Sequence, residues 1–290
     1  MEVPSLRRIY IDIISKCNMN CPWCYYRKEN KEMDYKQVLE IGKKFYLDKD
    51  KATILLLGGE PTLHSKFKEI LRGLKKDGWS VSVITNGICP KNTLPVLQKY
   101  ADEVQVSIDF YKEREDKFKN TPKAFEKKIY TVNYLENSFI RTTIMKNNLQ
   151  DIENILNLCI RMGRDWVGVP IKPLNPEARS QMLSISEFIR ISNLVIDYAA
   201  QTDLTFYIDH PLYFCYDKGW RDKMYSRGYF CPAGHLHCSI KINGDVTPCL
   251  FMDGPVLGNV FRDGYTYLRE NLLSFAKNQK PFMPICLLEF

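Results

Sequence analysis

The chain has 290 residues, 41 Lys and Arg against 34 Asp and Glu, 45% hydrophobic residues and ten cysteines. That length suits one large α/β domain, or a domain of about 200 residues with a smaller companion, and the near-average composition excludes disorder, collagen-like repeats and coiled coil. No apolar run reaches the roughly 18 to 20 residues that span a bilayer, and the N-terminus has no signal-peptide core, so a cytoplasmic location without membrane contact is expected.

Short β-branched runs alternate with amphipathic segments along the first two thirds of the chain. Arg8–Ile14 predicts a strand, and Asp34–Asp48 a helix with Val38, Leu39, Ile41, Phe45 and Tyr46 on its apolar side. Strand Ala52–Leu57 and helix Leu63–Lys76 follow, then strand Val81–Ile84 and a short helix Thr93–Tyr100 with Pro95 in its first turn. Val104–Ile108 is the next strand, after which Thr121-Pro122 reads as an N-cap and first-turn proline opening a helix to about Glu136. Strand Phe139–Met145, helix Leu149–Met162 and strand Trp166–Ile171 continue the alternation. Ser184 and Glu187 have capping-box spacing at the head of a helix to about Gln201. Six β/α units predict a parallel sheet curled into a partial TIM-like barrel.

Beyond residue 203 the pattern changes. Thr205–Ile208 is a strand candidate, and Ser239–Ile242 and Val246–Thr247 flank Asn243-Gly244, a two-residue hairpin signal. A helix over Tyr265–Ala276 is expected after it. The expected division is therefore a barrel over residues 1–203 and a small α+β extension over 204–290.

The net charge of +7 lies entirely in residues 1–145, as lysines on predicted helix faces, among them Lys43, Lys44, Lys75, Lys76, Lys127 and Lys128. Such scatter reads as solvated surface, and with no distinct RNA-binding module nucleic acid is not an expected partner.

Ten cysteines, irregularly spaced in a reducing compartment, do not form a disulfide framework. Cys17, Cys21 and Cys24 stand within eight residues directly after the first strand, and Pro22 keeps that stretch from becoming a regular helix. Three close thiolates suit an iron–sulfur cluster with one iron left open, whereas a structural zinc site would need a fourth ligand.

This Cys-x3-Cys-x2-Cys loop, with Trp23 before its last cysteine, resembles the cluster loop of radical S-adenosylmethionine (SAM) enzymes. Gly58-Gly59-Glu60-Pro61 after the second strand is similar to that family's Gly-Gly-Glu-Pro motif: glycines let backbone approach a ligand closely, and a carboxylate can pair with the SAM ammonium. Thr85-Asn86-Gly87 and Ser107-Ile108-Asp109 resemble the family's polar strand ends near the SAM methionine and ribose, and Arg141 stands where relatives often carry an arginine near the SAM carboxylate. Trp23 and Val169, with Pro170 and Ile171, would wall the adenine. Independently of the resemblance, these segments all fall at the C-terminal ends of consecutive strands, where β/α barrels place their active sites. The resemblance implies a [4Fe–4S] cluster on Cys17, Cys21 and Cys24, SAM as its partner, a 5′-deoxyadenosyl radical that takes a hydrogen atom from substrate, and a reductant such as flavodoxin or ferredoxin.

Cys231-Pro-Ala-Gly, Gly244-x4-Cys249 and Leu257-Gly258-Asn259 resemble the SPASM and twitch extensions that bind auxiliary Fe–S clusters. One auxiliary cluster is implied, on Cys231, Cys249 and Cys286, its fourth position open to Glu289, His235, His237, Cys238 or substrate. Zinc bound by Cys and His is the alternative. Cys159 reads as core and Cys89 as loop packing. Cys215 and Cys238 are candidate hydrogen-atom donors, should the reaction be an epimerisation. The expected substrate is a peptide, with a small polar metabolite such as a sugar or aminoglycoside as the alternative, and a non-catalytic Fe–S or zinc protein as a distant one. The first strand starts so early that no N-terminal leader-binding domain is expected, which weighs mildly against the peptide.

Overall fold

The computed structural model describes residues 5–26, 29–172, 174–209, 232–251 and 254–278. Strands β1 (Arg8–Ile14), β2 (Thr53–Gly58), β3 (Ser80–Thr85), β4 (Glu103–Ser107), β5 (Ser138–Ile144), β6 (Trp166–Pro170) and β7 (Phe206–Ile208) pair in chain order, every pair parallel. The crossovers carry helices α1 (Tyr35–Lys44), α2 (Phe67–Lys76), α3 (Leu94–Tyr100), α4 (Glu113–Phe118), α5 (Ala124–Tyr134), α6 (Ile152–Met162), α7 (Pro176–Ser180) and α8 (Ile185–Ala199). The expected partial barrel is present, and its sheet stays open.

The strand period of two sorts the side chains. Ile9, Ile11 and Ile13 of β1, Ile54 and Leu56 of β2, Val81 and Val83 of β3, and Val104 and Val106 of β4 share one core with Val38, Ile41, Ile70, Leu71 and Leu74 of the helices. The opposite face carries Tyr10, Asp12, Leu55, Leu57, Gln105 and Arg141, a mixed polar lining. Local capping sets several helix ends, the expected Ser184–Glu187 box among them. Asp34 with Gln37 and Ser184 with Glu187 form capping boxes, and α6 stops at Gly163, which takes the left-handed conformation.

Four local expectations need correction. Helix α5 begins at Ala124, past Thr121-Pro122, because the Asp116 carboxylate on α4 accepts the Lys123 and Phe125 N–H groups at 2.8 and 2.9 Å and supplies the cap. Asn243-Gly244 does not make a two-residue turn. Lys241 N–H donates to Asp245 O at 2.9 Å and Gly244 has φ +86°, so the hairpin closes through residues 242–244 with glycine in the left-handed position. Lys128 is not solvated: it is fully buried, with Nζ 2.5 Å from Glu115 and 2.8 Å from Ser107 O. Lys44 donates to the Val260 and Asp263 carbonyls, both at 2.6 Å, and so ties α1 to the C-terminal segment.

Strand β8 (His237–Ile240) lies parallel to β1 on the edge away from β2, and β9 (Val246–Thr247) pairs antiparallel with β8. The C-terminal segment thus continues the same sheet. Asn259 fastens its turn: Nδ2 donates to Asn243 O and Asp245 Oδ1, both at 2.9 Å, and Oδ1 accepts from Phe261 N–H at 3.0 Å. Helix α9 (Tyr265–Asn278) packs Leu268 and Leu272 into the main core, and Tyr265 donates to the buried Asp48 at 2.7 Å.

Candidate active site at the strand ends

Because β1 to β6 are parallel, the loops after them gather at one end of the sheet. A cavity of about 210 Å³ opens there. Its wall contains Cys17, Cys21, Trp23 and Cys24 from the loop after β1, Gly58 and Gly59, Thr85 and Asn86, Ser107 and Asp109, Arg141, and Val169. All three loop cysteines are partly exposed, and none is disulfide-bonded among the described residues. Among the described residues no three Cys, His, Asp or Glu side chains converge as a single metal ion would require; the three thiols stand around the cavity instead. That donor set fits a cluster held at three corners better than a mononuclear zinc.

The Gly-Gly-Glu motif works differently from the expectation. A Cβ on Gly58 would lie 2.1 Å from Ile14 O, and one on Gly59 would lie 2.2 Å from Lys16 O. Glycine is required here by backbone packing between the end of β2 and the root of the cysteine loop. Gly59 N–H donates to Ile14 O at 2.7 Å and Glu60 N–H to Lys16 O at 2.8 Å, which closes that contact. Glu60 is fully buried and is not on the cavity wall. Its carboxylate accepts from Thr62 N–H (3.1 Å), Thr62 Oγ1 (2.6 Å), Thr85 Oγ1 (2.7 Å) and Asn86 N–H (2.7 Å). Three of these donors share Oε1 and one reaches Oε2, so Glu60 ties β2 to β3 from behind the wall. Burial pushes its pKa up, opposed by those hydrogen bonds.

Each cysteine region is braced by a strand end. Asn86 Nδ2 donates to Asn18 Oδ1 at 2.7 Å and stands 3.7 Å from Cys17 Sγ; Met19 N–H reaches the same sulfur at 3.4 Å. Asn175 Nδ2 donates to Cys24 O at 3.1 Å, fixing the last cysteine from the β6 side. Asp109 accepts from Thr143 N–H at 2.6 Å and pairs with Lys119, whose Nζ lies 3.6 Å from Cys21 Sγ and 4.6 Å from the Trp23 ring centroid. Burial works against the Lys119 charge, but Asp109, Cys21 and Glu115 outweigh it and its pKa rises. Burial likewise opposes charge on Asp109, yet Lys119 and Lys128 hold its carboxyl below the usual range. Arg141 donates to Gln105 Oε1 at 3.0 Å from the inner face of β5. Trp23 leans on Phe110 at 5.6 Å between centroids, beside Ile171 and Met145.

Nine of the ten residues expected around SAM therefore share one wall, Glu60 being the exception. Sequence reasoning missed Lys119, Thr143, Lys172, Tyr25, Leu250 and Phe251 on the same wall. Leu250 and Phe251 come from the segment after β9, which reaches the cavity because β8 pairs with β1. Strand alternation could have found Thr143, two residues after Arg141; nothing local distinguishes Lys119 from its lysine-rich surroundings.

Cys238 needs correction as a hydrogen-atom donor. It pairs with Ile9 on the helix-covered face of the sheet, is fully buried, and is absent from the cavity wall. Burial pushes its thiol up to about 12, with Arg269 opposing. Cys159 is fully buried in the main core and Cys89 packs against it. Cys249 is partly exposed just after β9. Cys215, Cys231 and Cys286, and Glu289 with them, lie outside the described residues.

Comparison with known proteins decides the family. Residues 11–159, just over half the chain, match the profile described as the Radical SAM superfamily. The chain belongs to the radical SAM superfamily.

As a member of this superfamily, it takes SAM and a [4Fe–4S] cluster as cofactors. It is 31% identical over 90 residues to the tungsten-containing aldehyde ferredoxin oxidoreductase cofactor-modifying protein of Pyrococcus furiosus, covering 28% of this chain and 24% of that one. It is 25% identical over 285 residues to the antilisterial bacteriocin subtilosin biosynthesis protein AlbA of Bacillus subtilis, covering 91% of this chain and 59% of that one. The chain thus spans about a quarter and about three fifths of these two relatives. The crystal structure of Streptococcus suis SuiB superposes with a TM-score of 0.74 at 19% identity, covering 98% of this chain and 68% of SuiB. At that identity the likeness speaks for the fold. No helix among the described residues is long and apolar enough to cross a membrane.

Proposed function

We propose that this radical SAM enzyme modifies a peptide, with Cys17, Cys21 and Cys24 holding the [4Fe–4S] cluster. The observation that carries the site assignment is the placement of those three thiols on one cavity wall with the ends of β2 to β6. The cluster and SAM together supply one-electron cleavage of a C–S bond and hydrogen-atom abstraction from substrate.

The chain's own residues bind and orient. Backbone at Gly58-Gly59, the Thr85-Asn86 turn, Ser107, Asp109 and Arg141 offer polar contacts to the methionine and ribose parts of SAM. Trp23 and Val169, with Ile171, offer the apolar surface for adenine and exclude water from that side. Glu60 keeps β2, β3 and the cysteine loop in register behind this wall.

Two findings support a peptide. AlbA, similar over most of this chain, is named for bacteriocin biosynthesis, and SuiB has been solved bound to the precursor peptide SuiA. A second, larger cavity of about 660 Å³ adjoins through Tyr25, lined by Asp12, Glu29, Glu32, Lys31, Lys241 and Tyr26 among others. Charges of both signs beside aromatic rings suit the polar backbone and mixed side chains of a peptide. The extension after residue 203 is read as holding one auxiliary Fe–S cluster on Cys231, Cys249 and Cys286.

The test is turnover of the anaerobically reconstituted enzyme with dithionite, SAM and synthetic peptides from short reading frames adjoining its gene. A mass change in one peptide, with 5′-deoxyadenosine formation accelerated by it, is expected. Modification of a small polar metabolite, with every such peptide unchanged, would overturn the peptide reading.

A further inference from the structure

Lys119 is the C-cap of α4, where its N–H donates to Glu115 O at 3.0 Å. Only 4% of the residue is exposed, and Nζ is within hydrogen-bonding distance of both Asp109 and the Cys21 sulfur, with the Trp23 ring beside it. Burying an ammonium is costly unless it is paired, and Asp109 supplies the pair. The ion pair accounts for the charge being tolerated; it does not account for the ammonium being set against a thiol on a cavity wall.

The neighbouring buried lysine makes the contrast. Lys128 is spent on Glu115 and Ser107 O and is not on that wall, whereas Lys119 is. The donors seen at Cys17, Asn86 Nδ2 and Met19 N–H, are neutral groups; Lys119 brings a full charge to Cys21. Hydrogen bonds to sulfur and net local charge are the levers by which proteins set cluster potentials, and both act strongly where water is excluded.

We propose that Lys119 is a positioning residue of the cluster: anchored by Asp109, its ammonium hydrogen-bonds the Cys21 sulfur and favours the reduced state. The inference rests on Cys21 being a cluster ligand. Reduction adds one electron to the cluster from an external reductant, and no bond in the protein forms or breaks. The added negative charge lies next to the Lys119 ammonium, so its removal penalises the reduced form more than the oxidised form.

The experiment is a potentiometric titration of the reconstituted full chain with dithionite, without SAM, followed by electron paramagnetic resonance, on wild type, Lys119→Arg, Lys119→Gln and Lys119→Met. At a fixed potential the reduced-to-oxidised ratio in Lys119→Met is expected to fall about tenfold, equivalent to about 59 mV for a one-electron couple. Lys119→Arg should stay near wild type and Lys119→Gln fall between. Should the methionine variant fail to load iron, the arginine–glutamine difference reads the same effect. Variants that lose iron in parallel while the loaded fraction titrates like wild type would show a structural role only and overturn the inference. A wild type that takes up iron with no signal lost in Cys21→Ala would instead overturn the ligand assignment beneath it.

Discussion

Cysteine reactivity separates the thiols residue by residue. Cys238 is fully buried with its thiol pushed up to about 12, and Cys89 is pushed to about 12 by burial and by Glu60. A group with so high a pKa holds almost no thiolate at pH 8. In iron-free protein, iodoacetamide at pH 8 is expected to label Cys17, Cys21 and Cys24 first and to spare Cys89, Cys159 and Cys238, read by peptide mass spectrometry. Early labelling of Cys238 would contradict its place in the core. The buried pair of Lys128 and Glu115 gives a second prediction. Lys128→Met strands a fully buried carboxylate and should cost about 3–5 kcal/mol in urea unfolding, while Lys127→Met next to it, on exposed surface, should stay within about 0.5 kcal/mol. Composition and charge could not tell these two lysines apart. Their difference comes from Asp109 and Phe110 N–H groups that recruit Glu115 inward at 3.0 and 2.7 Å, a tertiary event with no local sequence mark.

Elements carry the site by their ends. The loop after β1 and the turn after β2 touch backbone to backbone, so Gly59→Ala should push Lys16 and the adjoining Cys17 outward. A several-fold loss of reconstituted iron is expected for Gly59→Ala, whereas Gly264→Ala, with nothing within 4 Å of its new Cβ, should load normally. Equal iron in both would contradict the packing role assigned to Gly58-Gly59. The sequence motif was visible at once, but its reason was not: the glycines face protein backbone, and Glu60 faces Thr62, Thr85 and Asn86. Strand and helix positions followed from period-two and amphipathic patterns, since each crossover buries one face. Helix α4 was missed because six residues with Glu115 buried among charged neighbours present no apolar stripe.

At the scale of the whole molecule, the C-terminal segment completes the site without closing the barrel. Pairing of β8 with β1 brings Leu250 and Phe251 to the cavity, where Phe251 meets Tyr25 edge-on at 5.5 Å between centroids. That arrangement was illegible because the hairpin signal at Asn243-Gly244 says nothing about which strand edge receives it. The barrel, its family and most of the cavity wall were legible, since strand order places motifs that are far apart in sequence at one end of a parallel sheet. The central claim is that this wall holds a SAM-cleaving cluster on Cys17, Cys21 and Cys24. It is tested most directly by quantifying 5′-deoxyadenosine from reconstituted enzyme given dithionite and SAM, beside a Cys17, Cys21, Cys24 triple alanine variant. Formation by wild type and at least a hundredfold less by the variant, on the order of the loss of one essential catalytic group, is predicted. Wild type with a loaded, reducible cluster and no 5′-deoxyadenosine, or equal yields from both proteins, would contradict it.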